Sequence, residues 1–160
     1  MTLAPMLNGL KSINGKLKFA VWKMRVKSLV SEQPGNDDSY SPESIQSYSE
    51  TDFSRKSTWA ILCEEVLDTT FPRAYFQKAR DELHRRGIGD SEMIEMRHFV
   101  WLTAGWMNFE RMVWDWVNLD EKHICEAIEW QHSDGIISSK DREKKLAYLR
   151  RYSGAFVRHE

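Results

Sequence analysis

Five of the chain's seven tryptophans, Trp101, Trp106, Trp114, Trp116 and Trp130, fall within one stretch of thirty residues. Between them lie Met107, Phe109, Met112, Val113, Val117, Leu119, Ile124 and Ile128. Side chains this large do not all stay in water, because each removes well over a hundred square ångströms of apolar surface when buried. The stretch therefore marks the centre of a packed domain or the wall of a binding pocket. Its periodicity is helical. Met93, Met96, Val100, Ala104 and Met107 recur at three and four residues, and Phe99, Trp101, Leu102 and Trp106 fill the other faces. A helix that is apolar nearly all round belongs at the centre of a bundle.

The same period extends outward from this point. Trp59, Leu62, Cys63 and Val66 share one face of a helix expected to end near Thr70. Pro72 suits the first turn of the next helix, which carries Tyr75, Phe76, Ala79 and Leu83 before Gly87 stops it. Gly105 and Asn108 are expected to kink or end the central helix, with a shorter one from Phe109 to Val117. Asp120 caps a helix with Ile124, Ala127, Ile128 and Gln131 inward and Gly135 at its end. Ser138 with Asp141 forms the start signal of a last helix, Asp141 to Tyr152. No run of alternating β-branched residues appears. The expected fold class is all-α: a compact bundle of five or six short helices.

Charge divides the rest of the chain. Residues 1–31 hold Lys11, Lys16, Lys18, Lys23, Arg25 and Lys27 and no acid; residues 32–54 hold Glu32, Asp37, Asp38, Glu43, Glu50 and Asp52 and no base. Blocks of this kind often mark interaction segments. Phe19, Trp22, Val26, Leu29 and Val30 follow helical spacing, so a basic amphipathic helix is expected from about Gly15 to Ser31. The turn dipeptides Asn8-Gly9 and Asn14-Gly15 make the residues before it irregular. The expected organisation is a basic arm over 1–31, a Ser-rich acidic linker over 32–56 and a helical domain over 57–156.

Three functional readings follow. In the first, the chain is a non-catalytic interaction module. Lys16, Lys18, Trp22, Lys23, Arg25 and Lys27 engage an acidic protein partner or an anionic membrane surface, while the aromatic-rich body packs or binds. A fold-back of the arm onto the body, with Trp22 as anchor, is the plainer form of the same idea. The net charge of -1 and the lack of a recognition motif argue against nucleic acid, and a second copy of the chain is a further candidate cover for the apolar surface. In the second reading, Trp101, Trp106, Trp114, Trp116 and Trp130 line a ligand pocket, with His98, His132 or Asp115 as acid–base groups tuned by burial.

The third reading concerns metal. Glu95 with His98, and Glu129 with His132, are two Glu-x-x-His pairs, and on a helix the two members of each project from the same side. Two such pairs resemble the di-iron carboxylate sites of ferritin-like bundles. The resemblance implies a di-metal centre at Glu95, His98, Glu129 and His132, with further carboxylates from Glu64 or Glu65 and Glu110 or Asp115. Absent that convergence, the expectation is no cofactor.

Two cysteines, Cys63 and Cys125, make no disulfide framework and point to free thiols in a reducing, intracellular setting. The cytoplasm is the default, with organelle import or peripheral membrane association as alternatives. Basic residues interrupt the apolar run from Leu17 to Val30, unlike a cleaved secretory signal.

Overall fold

A computed structural model describes residues 4–31, 51–67, 71–111 and 118–153, with side chains of the first stretch placed over 15–30. The fold is all-α, and no strand occurs among the described residues. In chain order the helices are α1 (Ala4–Ser31), α2 (Thr58–Cys63), α3 (Arg73–Arg85), α4 (Asp90–Val100), α5 (Trp106–Glu110), α6 (Glu121–Ser133) and α7 (Ser139–Ser153). Short 3-10 turns occupy Phe53–Arg55 and Glu64–Val66, and a π turn, Trp101–Gly105, joins α4 to α5. The acidic segment through residue 50, the expected continuation of a helix to Val117, and the residues after 153 lie outside the described residues.

The central helix sits where its composition requires. Met96, Val100 and Ala104 are fully buried, with Met93 nearly so. Across them packs Trp59 of α2, whose indole nitrogen donates to the Leu149 carbonyl of α7 at 2.9 Å. Its ring meets Phe99, Tyr148 and Tyr152 at centroid distances of 5.4, 6.0 and 5.8 Å. One side chain thus holds α2, α4 and α7 together.

Caps fall where the sequence placed them. Asp120 accepts from Lys122 N, and His123 completes a capping box on α6. Asp141 N donates to Ser138 Oγ at 3.1 Å at the start of α7. Gly87 and Gly135 take positive φ, 83° and 68°, past the ends of α3 and α6.

Four expectations need correction. The first helix begins at Ala4, not near Gly15, and runs through both Asn-Gly dipeptides. Each helical glycine costs about 1 kcal/mol, which the length of the helix and its packing outweigh. The second helix stops at Cys63 and tightens into a 3-10 turn ending at Val66, after which Leu67 is extended. Pro72 is the N-cap of α3, not its first helical residue.

The ordered body also starts before residue 57. Phe53 is buried and meets Tyr75 edge-on at 4.9 Å. The Arg86 guanidinium, with only 2% of its side chain exposed, donates to the carbonyls of Phe53 and Lys56, to Thr58 Oγ1 and to Glu82. A buried guanidinium needs most of its five N–H groups satisfied, and this segment supplies the acceptors.

The basic arm is part of the packed structure. Phe19, Trp22, Val26 and Val30 form a second core with Trp106, Met107 and Ala127. Phe19 meets Trp106 edge-on at 6.0 Å, and Trp22 stacks on Phe109 at 6.1 Å. At the far end of α1, Arg97 donates to the Val30 carbonyl at 3.2 Å, a cation placed at a helix C-terminus.

Candidate functional site

Docking α1 by one face leaves the other outward. Residues on a helix turn by about 100° each, so Leu17, Val21 and Met24 form one line opposite Val26. They are 65%, 55% and 66% exposed. Lys16 and Lys27 flank the line on one side and Lys18 and Arg25 on the other, all exposed. No acidic residue lies on the helix. Lys23, also exposed, reaches over the Phe19 ring at 5.0 Å, and Arg25 over Trp22 at 5.9 Å.

Beside the C-terminal half of α1 lies a groove of about 660 Å³, walled by α1, α2, α3 and α4. Its floor is apolar: Ile61, Leu62, Phe76, Ala79, Leu83 and Met93. Ile94, 53% exposed, stands at its mouth. The rim is charged. Lys27, Arg73, Arg80, Arg97 and His98 face Glu65, Asp90 and Glu95. Arg80 pairs with Asp90 at 2.7 Å and Arg97 with Glu65 at 2.8 Å. Cancelling these two pairs leaves Lys27 and Arg73 against Glu95 among the described lining residues.

His98 sits in a basic neighbourhood. Burial lowers its pKa first, and Lys145, Lys27 and Lys23 oppose its protonation further. Lys145 is held down to about 8 by burial and by Lys23, with Asp141 opposing in part. Its ammonium lies 5.4 Å from the centre of the Phe99 ring. Lys23 and Lys27 of α1 and Lys145 of α7 thus all act on His98, which lines the groove, and hold it toward its neutral form. Glu65 goes the other way: burial raises its pKa although the Arg97 guanidinium acts to lower it.

The residues of the metal reading have other partners among the described residues. Among the described residues no three His, Cys, Asp or Glu side chains come together to hold an ion. Glu129 is clasped by Arg142 through two bonds of 2.6 and 2.8 Å, and that pairing keeps its carboxylate below the ordinary range. His132 contacts Ser139 Oγ at 3.1 Å. Glu95 and His98 line the groove instead. Of the further carboxylates, Glu64 pairs with Lys56, Glu65 with Arg97, and Glu110 is exposed. The two Glu-x-x-His pairs lie on α4 and α6, where their partners differ.

The tryptophans are placed as packing groups. Trp106 is buried against Phe19, and Trp101 stacks on Phe109 at 5.7 Å. Trp130 is 39% exposed with Arg111 over its ring at 5.3 Å. None of these three lines the groove. Trp114, Trp116 and Asp115 lie outside the described residues. Among the basic-arm residues, Lys16, Lys18, Lys23, Arg25 and Lys27 are exposed, but Trp22 is only 2% exposed and is unavailable to a partner. Its indole is used inside the molecule.

The sequence reading missed Leu17, Val21 and Met24, and it missed the groove. The first was legible: i, i+4, i+7 spacing is a helical stripe, masked by the stronger stripe opposite it. The groove was not, because it needs four helices to be placed. Both cysteines are free, and burial pushes the Cys63 thiol well up, with Asp120 and Glu121 adding to the effect. No helix among the described residues is long and apolar enough to cross a membrane. Comparison with protein-family models, with curated proteins and with solved structures finds no match to this chain.

Proposed function

We propose that the chain is a peripheral docking module that engages an anionic membrane surface through the outward face of α1. The observation that carries this reading is the exposed line Leu17, Val21 and Met24 flanked on both sides by basic side chains. An interfacial helix has this layout. Apolar side chains enter the headgroup boundary, and lysines and arginines extend sideways to the phosphates. Each such cation near an anionic leaflet contributes about 1 kcal/mol. The opposite face of α1 is already fixed to the body by Phe19, Trp22, Val26 and Val30, so docking would bring the whole domain to the surface.

The test is co-sedimentation of the full chain with vesicles of phosphatidylserine and phosphatidylcholine, against phosphatidylcholine alone. Binding is expected to the anionic vesicles only, to weaken as salt rises, and to be lost in Leu17→Glu/Val21→Glu/Met24→Glu. These positions are exposed, so the variant keeps its fold. Wild-type protein left in the supernatant at low salt would overturn the proposal, as would equal binding by the variant. Capture by polyglutamate without vesicle binding would move the reading to an acidic protein partner.

A further inference from the structure

The groove is separate from the outward face of α1 and shares only Lys27 with it. Its volume of about 660 Å³ falls within the roughly 300–1,000 Å³ range of small-molecule sites. Its chemistry has two parts. The floor, from Ile61 to Met93, offers aliphatic and aromatic carbon with no charged group among its six side chains. Among the described residues the rim carries cations in excess: Lys27 and Arg73 remain after Arg80 and Arg97 are paired, against Glu95. Lys23 and Lys145, outside the lining, add positive charge near His98. An apolar trough whose rim carries cations with no carboxylate partner among the described residues suits a molecule with a hydrocarbon tail and a negative head.

We propose that this groove binds a single-chain anionic amphiphile, its acyl tail along Phe76, Ala79, Leu83 and Met93 and its head against Lys27 and Arg73. A neutral apolar ligand would leave the rim cations facing one another. A cationic amphiphile would add to their repulsion. A peptide helix is a weaker fit, since the paired Arg80–Asp90 and Arg97–Glu65 bridges narrow the polar surface available to it.

The experiment is calorimetric titration of the full chain with octanoate, decanoate and dodecanoate below their micellar concentrations, with dodecyltrimethylammonium as the opposite head. Dodecanoate should bind with one-to-one stoichiometry. Affinity should climb with chain length, by up to about fourfold for each methylene that leaves water. The trimethylammonium analogue should bind at least about tenfold more weakly than dodecanoate. Ala79→Phe fills the floor and should weaken dodecanoate by at least about tenfold. Ile94→Glu and Arg73→Glu change exposed side chains at the mouth, preserve the fold and should weaken it similarly. The Leu17→Glu/Val21→Glu/Met24→Glu variant should bind dodecanoate as wild type does, which separates this site from the membrane-facing surface. The proposal falls if dodecanoate fails to bind, if the cationic analogue binds equally well, or if Ile94→Glu and Arg73→Glu leave the affinity unchanged.

Discussion

The indole nitrogen of Trp22 donates to the carbonyl oxygen of Trp101 at 2.9 Å, across 79 residues of sequence. This bond joins α1 to the π turn that interrupts the central helix. A second side chain enters the same turn from α6: Gln131 Nε2 donates to the Leu102 carbonyl at 2.6 Å. A turn of π geometry exposes carbonyls that a regular helix keeps to itself, and kinks arise where side chains enter the helical ladder.

Trp22→Ala should therefore destabilise the whole domain, by about 3–5 kcal/mol for a buried aromatic. Trp22→Phe should cost less, since it keeps much of the packing and only deprives the Trp101 carbonyl of its indole donor. Urea unfolding followed by circular dichroism measures both. A variant with unchanged midpoint would mean that α1 is a detachable arm. For the same reason, removing residues 1–31 should expose Trp106 and Met107 and lower stability, rather than leave an intact body.

Arg97 holds two things at once, the buried Glu65 carboxylate and the C-terminal carbonyl of Val30. Removing one partner of a buried pair leaves an uncompensated charge and costs about 3–5 kcal/mol. Arg97→Ala should lose this amount near neutrality, and Glu65→Gln distinctly less. The pH dependence has a definite sign. Glu65 has a folded-state pKa already raised by burial, so its folded form takes up a proton before the unfolded chain does. The Arg97→Ala deficit should shrink as pH falls through that raised value and grow as pH rises through it. A deficit independent of pH would show that Glu65 is not the group left stranded.

Lys145 gives the opposite slope. Its pKa in the folded protein is about 8 against an ordinary 10.5, because burial and Lys23 disfavour the ammonium, with only Asp141 opposing. Between those two values the unfolded chain binds more protons, so stability rises with pH there. Lys145→Met should stabilise the protein at pH 7 by about 1–3 kcal/mol. That gain should vanish as the pH approaches the ordinary lysine value. Thermal unfolding across this range checks it, and a constant gain would point to packing against Phe99 instead.

Gly105 closes the π turn with no room to spare. A Cβ there would lie 3.0 Å from Trp101 Cε3 and 3.2 Å from Val66 Cγ1. Neither neighbour is a flexible chain end. Gly105→Ala should cost about 1–3 kcal/mol through overpacking, although alanine is the better helix former. A neutral or stabilising result in chemical denaturation would show that the turn relaxes toward a regular α-helix.

The sequence by itself determined the helical class, the central position of Met93 to Met107, and the caps at Asp120 and Ser138. Each of these depends on residues within a turn or two of one another, where periodicity and hydrogen-bonding chemistry act locally. The basic helix was legible for the same reason, though its true start was not, because glycine's helix penalty is a small term that packing overrides. What only the tertiary structure decided depends on distant residues meeting. Trp22 could be an external anchor or an internal one until α1 was laid against Trp101 and Phe109. The two Glu-x-x-His pairs could converge or diverge; Arg142 claims Glu129, while Glu95 and His98 turn to the groove. The groove itself is the space left between four helices, a property of their relative placement that no local spacing encodes.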